Sequence, residues 1–361
     1  MQSMNDLKAL VLAGETNWKQ YGEVASQEAD GLILFNYTPL AQINGTWNWF
    51  ESVSRGLILS RATGEVVARP FDKFFNWGEN GRFPTPGATL VGVQEKMDGS
   101  LGIGYVLNGE HYIATRGSRF SPQAQWATEW LRANEGPFSA DWTLLYEIIY
   151  PENRIVVDYE GWSGLVLLAA RSIHTGEYAS EAVLDEWAAL HYLHRPHSFS
   201  FDSPDAIIAA AAELKGAEGW VAKFSDGSRW KFKGDEYRML HRIISGLSFQ
   251  SVLEVVKQGP EAVETLRATL GALGGPYLAW ADAWMKEIAD TVTNIHLRVD
   301  RALALMPDYT TRKEFAELVM KEDSALRPYL FMAYDCKSLR PAILKTEFKD
   351  RRDRMLTGGE G

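Results

Sequence analysis

The first two-thirds of the chain alternate between apolar and polar positions with the two-residue period of β-strands. Runs rich in Val, Ile, Leu and aromatic residues are separated by Gly, Asn, Pro and Asp, and the dipeptides Asn108-Gly109 and Asp226-Gly227 are typical of hairpin turns. This pattern predicts an α+β fold built on antiparallel sheet. The predicted strands are 31–37, 57–60, 65–69, 89–96, 101–107, 111–115, 144–149, 165–172, 220–224 and 229–233, and the predicted helices between them are 122–133, 180–192 and 205–214.

After about Asp235 the pattern changes to the period of α-helices. Apolar residues three or four positions apart predict one long helix, which Gly274-Gly275-Pro276 precedes and Met306-Pro307 ends. Its stripe consists of Trp284, Ile288, Val292, Ile295, Val299 and Leu303, and 249–258, 261–273 and 311–320 are also predicted to be helical. We therefore expect one domain over residues 1–245 and an all-helical domain over residues 246–361.

Composition limits the class of protein. The 361 residues include 37 Lys+Arg and 47 Asp+Glu, a net charge of −10, which argues against nonspecific coating of nucleic acid but permits a local cationic cleft. Cys336 is the only cysteine, so a zinc ribbon and an intramolecular disulfide are excluded. No apolar run approaches the length of a bilayer, and no secretory signal is visible at the start. We expect a cytoplasmic protein without a membrane partner.

The candidate chemistry begins at the end of a predicted strand. Lys96 closes the strand 89–96, and Asp98-Gly99 forms a tight turn directly behind it. Alone, this tetrapeptide is more often a hairpin with an exposed lysine than a catalytic motif. Further segments change that interpretation, because they combine cations, aromatic residues and carboxylates in apolar strands: Ser54-Arg55-Gly56, Arg69 to Asn76 with Lys73 and Phe75, Thr115-Arg116-Gly117-Ser118, Glu147 followed by Pro151 to Val156, and Glu218-Gly219.

Two lysines occupy one face of the last predicted strand. The alternation of side chains across a strand places Lys231 and Lys233 on the same side. Because neighbouring ammonium groups repel each other, a polyanion between them is the simplest explanation, and a solvated strand face is the alternative. By sequence alone, a residue such as Tyr37 is more often a core residue than a ligand-binding one, and Glu147 could pair with Arg154.

In this order, the segments resemble the motifs of the lysine-dependent covalent nucleotidyltransferases and, among these, the phage-type RNA ligase 1 family. The resemblance covers about residues 31–240. It implies an antiparallel-sheet, ATP-grasp-like ligase domain followed by a helical domain that selects RNA. It further implies ATP and Mg²⁺ as cofactors, with Mn²⁺ as a substitute. The implied partners are RNA ends carrying a 5′-phosphate and a 3′-hydroxyl, cleaved tRNA among them, joined by a monomeric enzyme in RNA repair.

The resemblance also implies a role for each matched residue. Lys96 would attack the α-phosphate of ATP to form lysyl-AMP, and we expect neighbouring cations and burial to depress the pKa of this lysine. Glu147 would bind the ribose hydroxyls and Glu218 a metal ion or its waters. Lys231 and Lys233 would bind the α-phosphate, and Arg55, Lys73 and Arg116 would contact the other phosphates or the RNA 5′ end. Tyr37 and Phe75 would pack near the nucleotide. Gly99 and Gly219 would allow the backbone to approach the nucleotide closely. Arg116 stands where the family usually has lysine.

Two other classes of function stay open from the sequence. A DNA ligase or an mRNA-capping guanylyltransferase would share the chemistry, but such enzymes usually follow the catalytic domain with a small β-barrel, whereas this tail has helical periodicity. A noncatalytic nucleic-acid adaptor would have no need for the full set of charged residues.

Overall fold

The computed structural model describes residues 1–273 and 277–351. These residues divide into two compact units, one over Met1–His241 and one that begins at Arg242. The first unit mixes helices with sheets, and the described part of the second contains helices alone. The predicted α+β class is therefore confirmed. None of the helices in the described ranges is long and apolar enough to cross a membrane.

The strands of the first unit form three sheets in its described residues. All pairings are antiparallel except the short one between β5 and β13. The first sheet contains β1 (Val24–Ala29), β2 (Leu32–Tyr37), β3 (Arg55–Ser60) and β4 (Val66–Ala68), in that order. The other strands are β5 (Phe75–Asn76), β6 (Leu90–Glu95), β7 (Ser100–Leu107), β8 (Glu110–Ala114), β9 (Trp142–Ile149), β10 (Gly164–Ser172), β11 (Ser198–Phe199), β12 (Gly219–Phe224) and β13 (Arg229–Lys233). They form a second sheet, β10-β9-β7-β8, and a third, β11-β6-β12-β13-β5.

Helices pack against each of these sheets. Those of the first unit are α1 (Met4–Leu12), α2 (Pro39–Asn44), α3 (Trp49–Val53), α4 (Pro122–Ala133), α5 (Glu181–Leu190) and α6 (Pro204–Glu213), and α7 (Asp235–Gly246) follows at its end. Both hairpins form at the predicted dipeptides, and Asn108 takes a left-handed φ of 52°. The sequence pattern missed β1 because most of its side chains are polar and outward-facing, so the strand has no apolar alternation.

Apolar packing divides the first unit into layers. Leu34 and Ile58 of the first sheet pack against Ile103 and Leu145 of the second sheet. The third sheet has a core of its own, in which Trp230 packs among residues of α6. The chain passes from the third sheet to the second between β6 and β7, through residues 96–99. The predicted Lys-Met-Asp-Gly turn is therefore the connection between two sheets.

The second unit consists, in its described residues, of α8 (Phe249–Gln258), α9 (Pro260–Leu273), α10 (Tyr277–Leu305), α11 (Arg312–Val319), α12 (Arg327–Tyr334) and α13 (Arg340–Thr346). The long helix α10 contains the predicted apolar stripe, and Ile288, Val292, Ile295 and Val299 are buried along it. The predicted start signal at 274–276 lies outside the described residues.

Candidate active site

The turn between β6 and β7 is fixed by buried hydrogen bonds. The Lys96 N–H donates to the Gly219 carbonyl at 2.9 Å. The buried Asp98 carboxylate accepts from the backbone N–H groups of Val156 and Val157, both at 2.8 Å, and from the Tyr237 hydroxyl at 2.7 Å. These contacts fix the main chain on both sides of Lys96 while its side chain faces a cavity.

Gly99 lets the turn approach the neighbouring strand. A Cβ at this position would lie 2.5 Å from the Ile148 carbonyl oxygen of β9, closer than real contacts allow. The Gly99 N–H also donates to Glu147 Oε1 at 3.0 Å. The close approach therefore brings the carboxylate of β9 to the same turn as Lys96.

Glu218 joins two of the predicted lysines. Its Oε2 lies 2.8 Å from Lys96 Nζ and its Oε1 lies 3.0 Å from Lys233 Nζ, and the side chain is 2% exposed. The arrangement depends on Gly219, which has a φ of 141° and whose Cβ would lie 2.0 Å from the Phe232 carbonyl oxygen. Glycine at the first residue of β12 thus allows Glu218 to meet β13.

The electrostatic balance at Lys96 differs from the expectation. Burial alone lowers the pKa of Lys96, but the carboxylates of Glu218 and Glu147 outweigh it and raise the pKa above its usual value. The prediction of a depressed pKa at Lys96 is wrong for this arrangement, because Glu218 lies between Lys96 and Lys233. The lysine with the strongly lowered pKa is Lys231, owing to burial and then to Arg55 and the neighbouring lysines.

A pair of buried cations flanks an aromatic ring in the cavity. Lys231 Nζ lies 4.8 Å and the Arg55 guanidinium 5.6 Å from the centre of the Phe74 ring. Within the described chain neither forms an ion pair, and the buried Arg55 Nη1 has no hydrogen-bond partner. Because uncompensated buried charge is costly, the site is suited to an anion that enters the cavity.

Six of the predicted residues line the cavity: Arg55, Lys96, Gly99, Arg116, Glu147 and Lys231. Tyr37 lies behind this wall and accepts a hydrogen bond from Arg116 Nη1 at 2.7 Å. Lys73 lies over the rings of Tyr37 and Phe75, and Gly219, Glu218 and Lys233 flank Lys96. Phe74 rather than Phe75 forms the cavity wall, because successive side chains of an extended segment point to opposite sides.

Sequence reasoning missed several lining residues. Gln94, Lys223 and Arg229 also line the cavity. Gln94 pairs with Val221 in β12, and Lys223 pairs with Arg229 in β13. The alternation that grouped Lys231 with Lys233 extends to Arg229, so this residue could have been found.

Carboxylates near Lys96 are the candidate metal ligands. Burial raises the pKa of Glu147 to about 7, although Lys96 opposes the shift. Among the described residues no group of three or more His, Cys, Asp or Glu side chains could hold a metal ion. A magnesium ion that keeps waters and substrate phosphates as ligands needs only one or two carboxylates, so Glu218 fits such an ion.

Comparisons with known proteins match this chain to RNA ligases. A putative RNA ligase from Thermovibrio ammonificans is 33% identical over 186 residues, 48% of this chain and 47% of that protein. RNA ligase 1 of bacteriophage TS2126 is 34% identical over 202 residues, 50% of this chain and 49% of that protein. The chain thus spans about half the length of the curated relatives it matches. A solved archaeal ATP-dependent RNA ligase aligns with a TM-score of 0.45 and 18% identity, covering 76% of this chain and 77% of that one.

A family model described as RNA ligase matches residues 53–238. This range contains Lys96, the cavity residues Arg55 and Lys231, and Glu218 with its partner Lys233. It is just over half of the chain. The chain therefore belongs to the RNA ligase family.

Proposed function

We propose that this chain is an ATP-dependent RNA ligase that joins 5′-phosphate and 3′-hydroxyl ends through lysyl-AMP and RNA-adenylate intermediates. The observation that carries the proposal is Lys96 at a rigid junction between two sheets, facing a cavity whose buried cations Arg55 and Lys231 lack carboxylate partners. A polyphosphate supplies the missing negative charge, and membership of the RNA ligase family favours RNA as the second substrate.

The first step forms a bond between Lys96 Nζ and the α-phosphorus of ATP. The bond from that phosphorus to the bridging oxygen breaks at the same time, and pyrophosphate leaves. The Lys96 ammonium group must lose one proton before it attacks and a second as the bond forms. Glu218 Oε2, 2.8 Å from Nζ, orients the amine, and the protons pass to solvent and to the departing pyrophosphate. Lys231 and Arg55 stabilise charge on the phosphates, and Lys233 holds Glu218 in place.

The later steps transfer AMP to the RNA 5′-phosphate and then release it when the 3′-hydroxyl attacks. The released lysine returns to its pairing with Glu218. We assign these steps to the first unit, with the ribose hydroxyls of the nucleotide bound by Glu147, and we assign choice of RNA, including cleaved tRNA in RNA repair, to the helical domain over residues 246–361. We also propose that the enzyme is a monomer and acts in the cytoplasm.

We further propose that a divalent cation, Mg²⁺ or Mn²⁺, takes part in the reaction. Glu218 would bind this ion directly or accept hydrogen bonds from its bound waters. Such an ion would neutralise charge on the phosphates during transfer. The buried carboxylates beside Lys96 are suited to that role, since hard cations prefer oxygen ligands.

Self-labelling with radioactive ATP tests the chemistry. The protein is incubated with ATP or GTP labelled at the α-phosphate and separated by denaturing electrophoresis. We expect a covalent label from ATP. Hydroxylamine, which cleaves a phosphoramidate, or added pyrophosphate should release this label. Label from GTP alone would favour a capping enzyme, and absence of label would favour a noncatalytic adaptor.

Substrate choice is tested with purified protein and two polynucleotides. A 5′-phosphorylated single-stranded RNA should be circularised, and a nicked DNA duplex should be sealed poorly. Efficient sealing of the nicked DNA with no activity on the RNA would favour a DNA ligase.

A further inference from the structure

A track of alternating cations and aromatic rings leads out of the cavity. It begins with Lys231 and Arg55 on Phe74 and continues through Tyr37, over whose ring the Arg116 guanidinium lies at 4.9 Å. Beyond Tyr37 the track continues with residues that do not line the cavity: Trp47, Lys73, Phe75 and Arg82. We call these four residues the outer cluster.

Lys73 is enclosed by aromatic rings in the outer cluster. Its Nζ lies 4.9 Å from the Trp47 ring centre, 5.4 Å from that of Phe75 and 5.6 Å from that of Tyr37. It forms no ion pair among the described residues. Aromatic faces stabilise the ammonium group without neutralising it, so its charge stays available to a ligand.

Arg82 extends the positive charge past Phe75. Its guanidinium lies 4.7 Å above the Phe75 ring, and Nη2 donates to the Gly45 carbonyl. Nη1 is buried and has no hydrogen-bond partner in the described chain, and no carboxylate there pairs with this arginine. The guanidinium therefore carries a positive charge that no carboxylate among the described residues compensates.

Trp47 is held in an unusual backbone conformation. Its φ is 50°, a region that bulky residues rarely occupy. Its ring meets Tyr37 edge-on at 4.9 Å and Phe75 at 5.6 Å. The fold thus places this ring beside Lys73 despite backbone strain, which occurs most often where a side chain has a function. Phe83, next to Arg82, is 57% exposed and leaves the rim open to solvent.

We infer that the outer cluster binds a single-stranded segment of the RNA substrate, with Arg82 contacting a backbone phosphate and Trp47 stacking on an unpaired base. The inference rests on the proposed function. Cations interleaved with aromatic rings suit single strands, because a base in a duplex has no free face to stack. Trp47 and Arg82 do not line the cavity and are outside the set of residues that the resemblance assigns to the nucleotide, so these two are positioned for a second phosphate-bearing ligand.

Binding is measured without ATP or metal, so that the result does not depend on catalysis. The probe is a 5′-phosphorylated single-stranded oligoribonucleotide of about 12 nucleotides with a 3′ fluorophore, followed by anisotropy at several salt concentrations. Arg82→Gln should weaken binding about 3- to 10-fold and reduce the slope of log affinity against log salt by about 0.7, the loss of one phosphate contact. Trp47→Ala should weaken binding about 5- to 100-fold with the salt slope unchanged, and Trp47→Phe should restore most of it.

Arg132→Gln is the matched control. Arg132 also lies over an aromatic ring, that of Tyr112 at 4.6 Å, but it has a carboxylate partner in Glu110 at 3.6 Å. We expect wild-type RNA affinity from this variant. Arg82→Lys, which keeps the charge, should keep the salt slope and guards against a folding defect in Arg82→Gln.

The outcomes separate this inference from the proposed function. Wild-type affinity and salt slope in Arg82→Gln, an equal loss in Arg132→Gln, or equal binding of duplex RNA would overturn the inference. In Trp47→Ala, self-labelling by ATP should fall by a smaller factor than RNA binding does. Failure of the wild-type protein to label itself would instead overturn the proposed function, and the RNA-binding measurements would still decide the inference.

Discussion

Replacing Lys231 by methionine should stabilise the protein while removing its chemistry. Lys231 is 5% exposed, lies among Arg55, Lys96 and Lys233, and has no carboxylate partner in the described chain. Methionine fills similar space without the charge, so Lys231→Met should raise the free energy of unfolding by about 1–3 kcal/mol. For a unit of the size of Met1–His241 this is a rise in Tm of about 3–10 °C. Lysyl-AMP formation should fall about 10- to 150-fold, since a charged hydrogen bond to phosphate is lost.

The pH dependence of unfolding tests the physical reason. Burial lowers the pKa of Lys231 in the folded protein, so below the unfolded pKa of about 10.4 the unfolded chain binds a proton that the folded chain does not. Wild-type stability should therefore fall with decreasing pH, down to the folded pKa, by up to about 1.4 kcal/mol per pH unit more than that of Lys231→Met.

Lys223→Met is the control for this prediction. Lys223 lines the same cavity but pairs with Glu181, so its replacement should leave stability within about 1 kcal/mol of wild type or lower it. Urea unfolding of the three proteins at pH 7 and pH 9 gives the comparison. A less stable Lys231→Met protein, or identical pH slopes for it and the wild type, would refute the uncompensated-charge reasoning.

Three further predictions concern the site and the two units. Lys96→Ala should form no lysyl-AMP in the self-labelling assay but should keep the circular dichroism spectrum of the wild type. Retained label in this variant would show that the nucleophile is another residue. Gly219→Ala should lower the free energy of unfolding in urea by about 3 kcal/mol or more, because its Cβ would lie 2.0 Å from the Phe232 carbonyl oxygen; a near-wild-type midpoint would show that β12 shifts easily. A chain ending after Gly246 should still form lysyl-AMP but lose its preference for structured RNA, and equal sealing of structured and simple RNA by both lengths would contradict the role given to the helical domain.

Local patterns predicted most strands because local forces determine them. Alternation located both β12 and β13. The dipeptide Asn108-Gly109 located the hairpin of β7 and β8, and Asp226-Gly227 located that of β12 and β13, since few residues tolerate left-handed φ. The same logic placed α4 at its observed bounds, where Ser121 caps the helix and Pro122 begins it. It failed for β1, whose side chains are mostly polar, and for α1, which packs against strands farther along the chain.

The sequence alone determined the family, because the order and residue types of its motifs were sufficient for a resemblance that the family model confirmed. It could not determine the charge state of Lys96. That depends on Glu218, 122 residues away along the chain, and Coulomb interactions depend on distances that only the packed sheets define. The tertiary structure also decided that Phe74 lines the cavity and that Trp47, Lys73, Phe75 and Arg82 meet in one cluster. Periodicity assigns a residue to a face of its own strand, but the packing of separate elements determines what that face contacts.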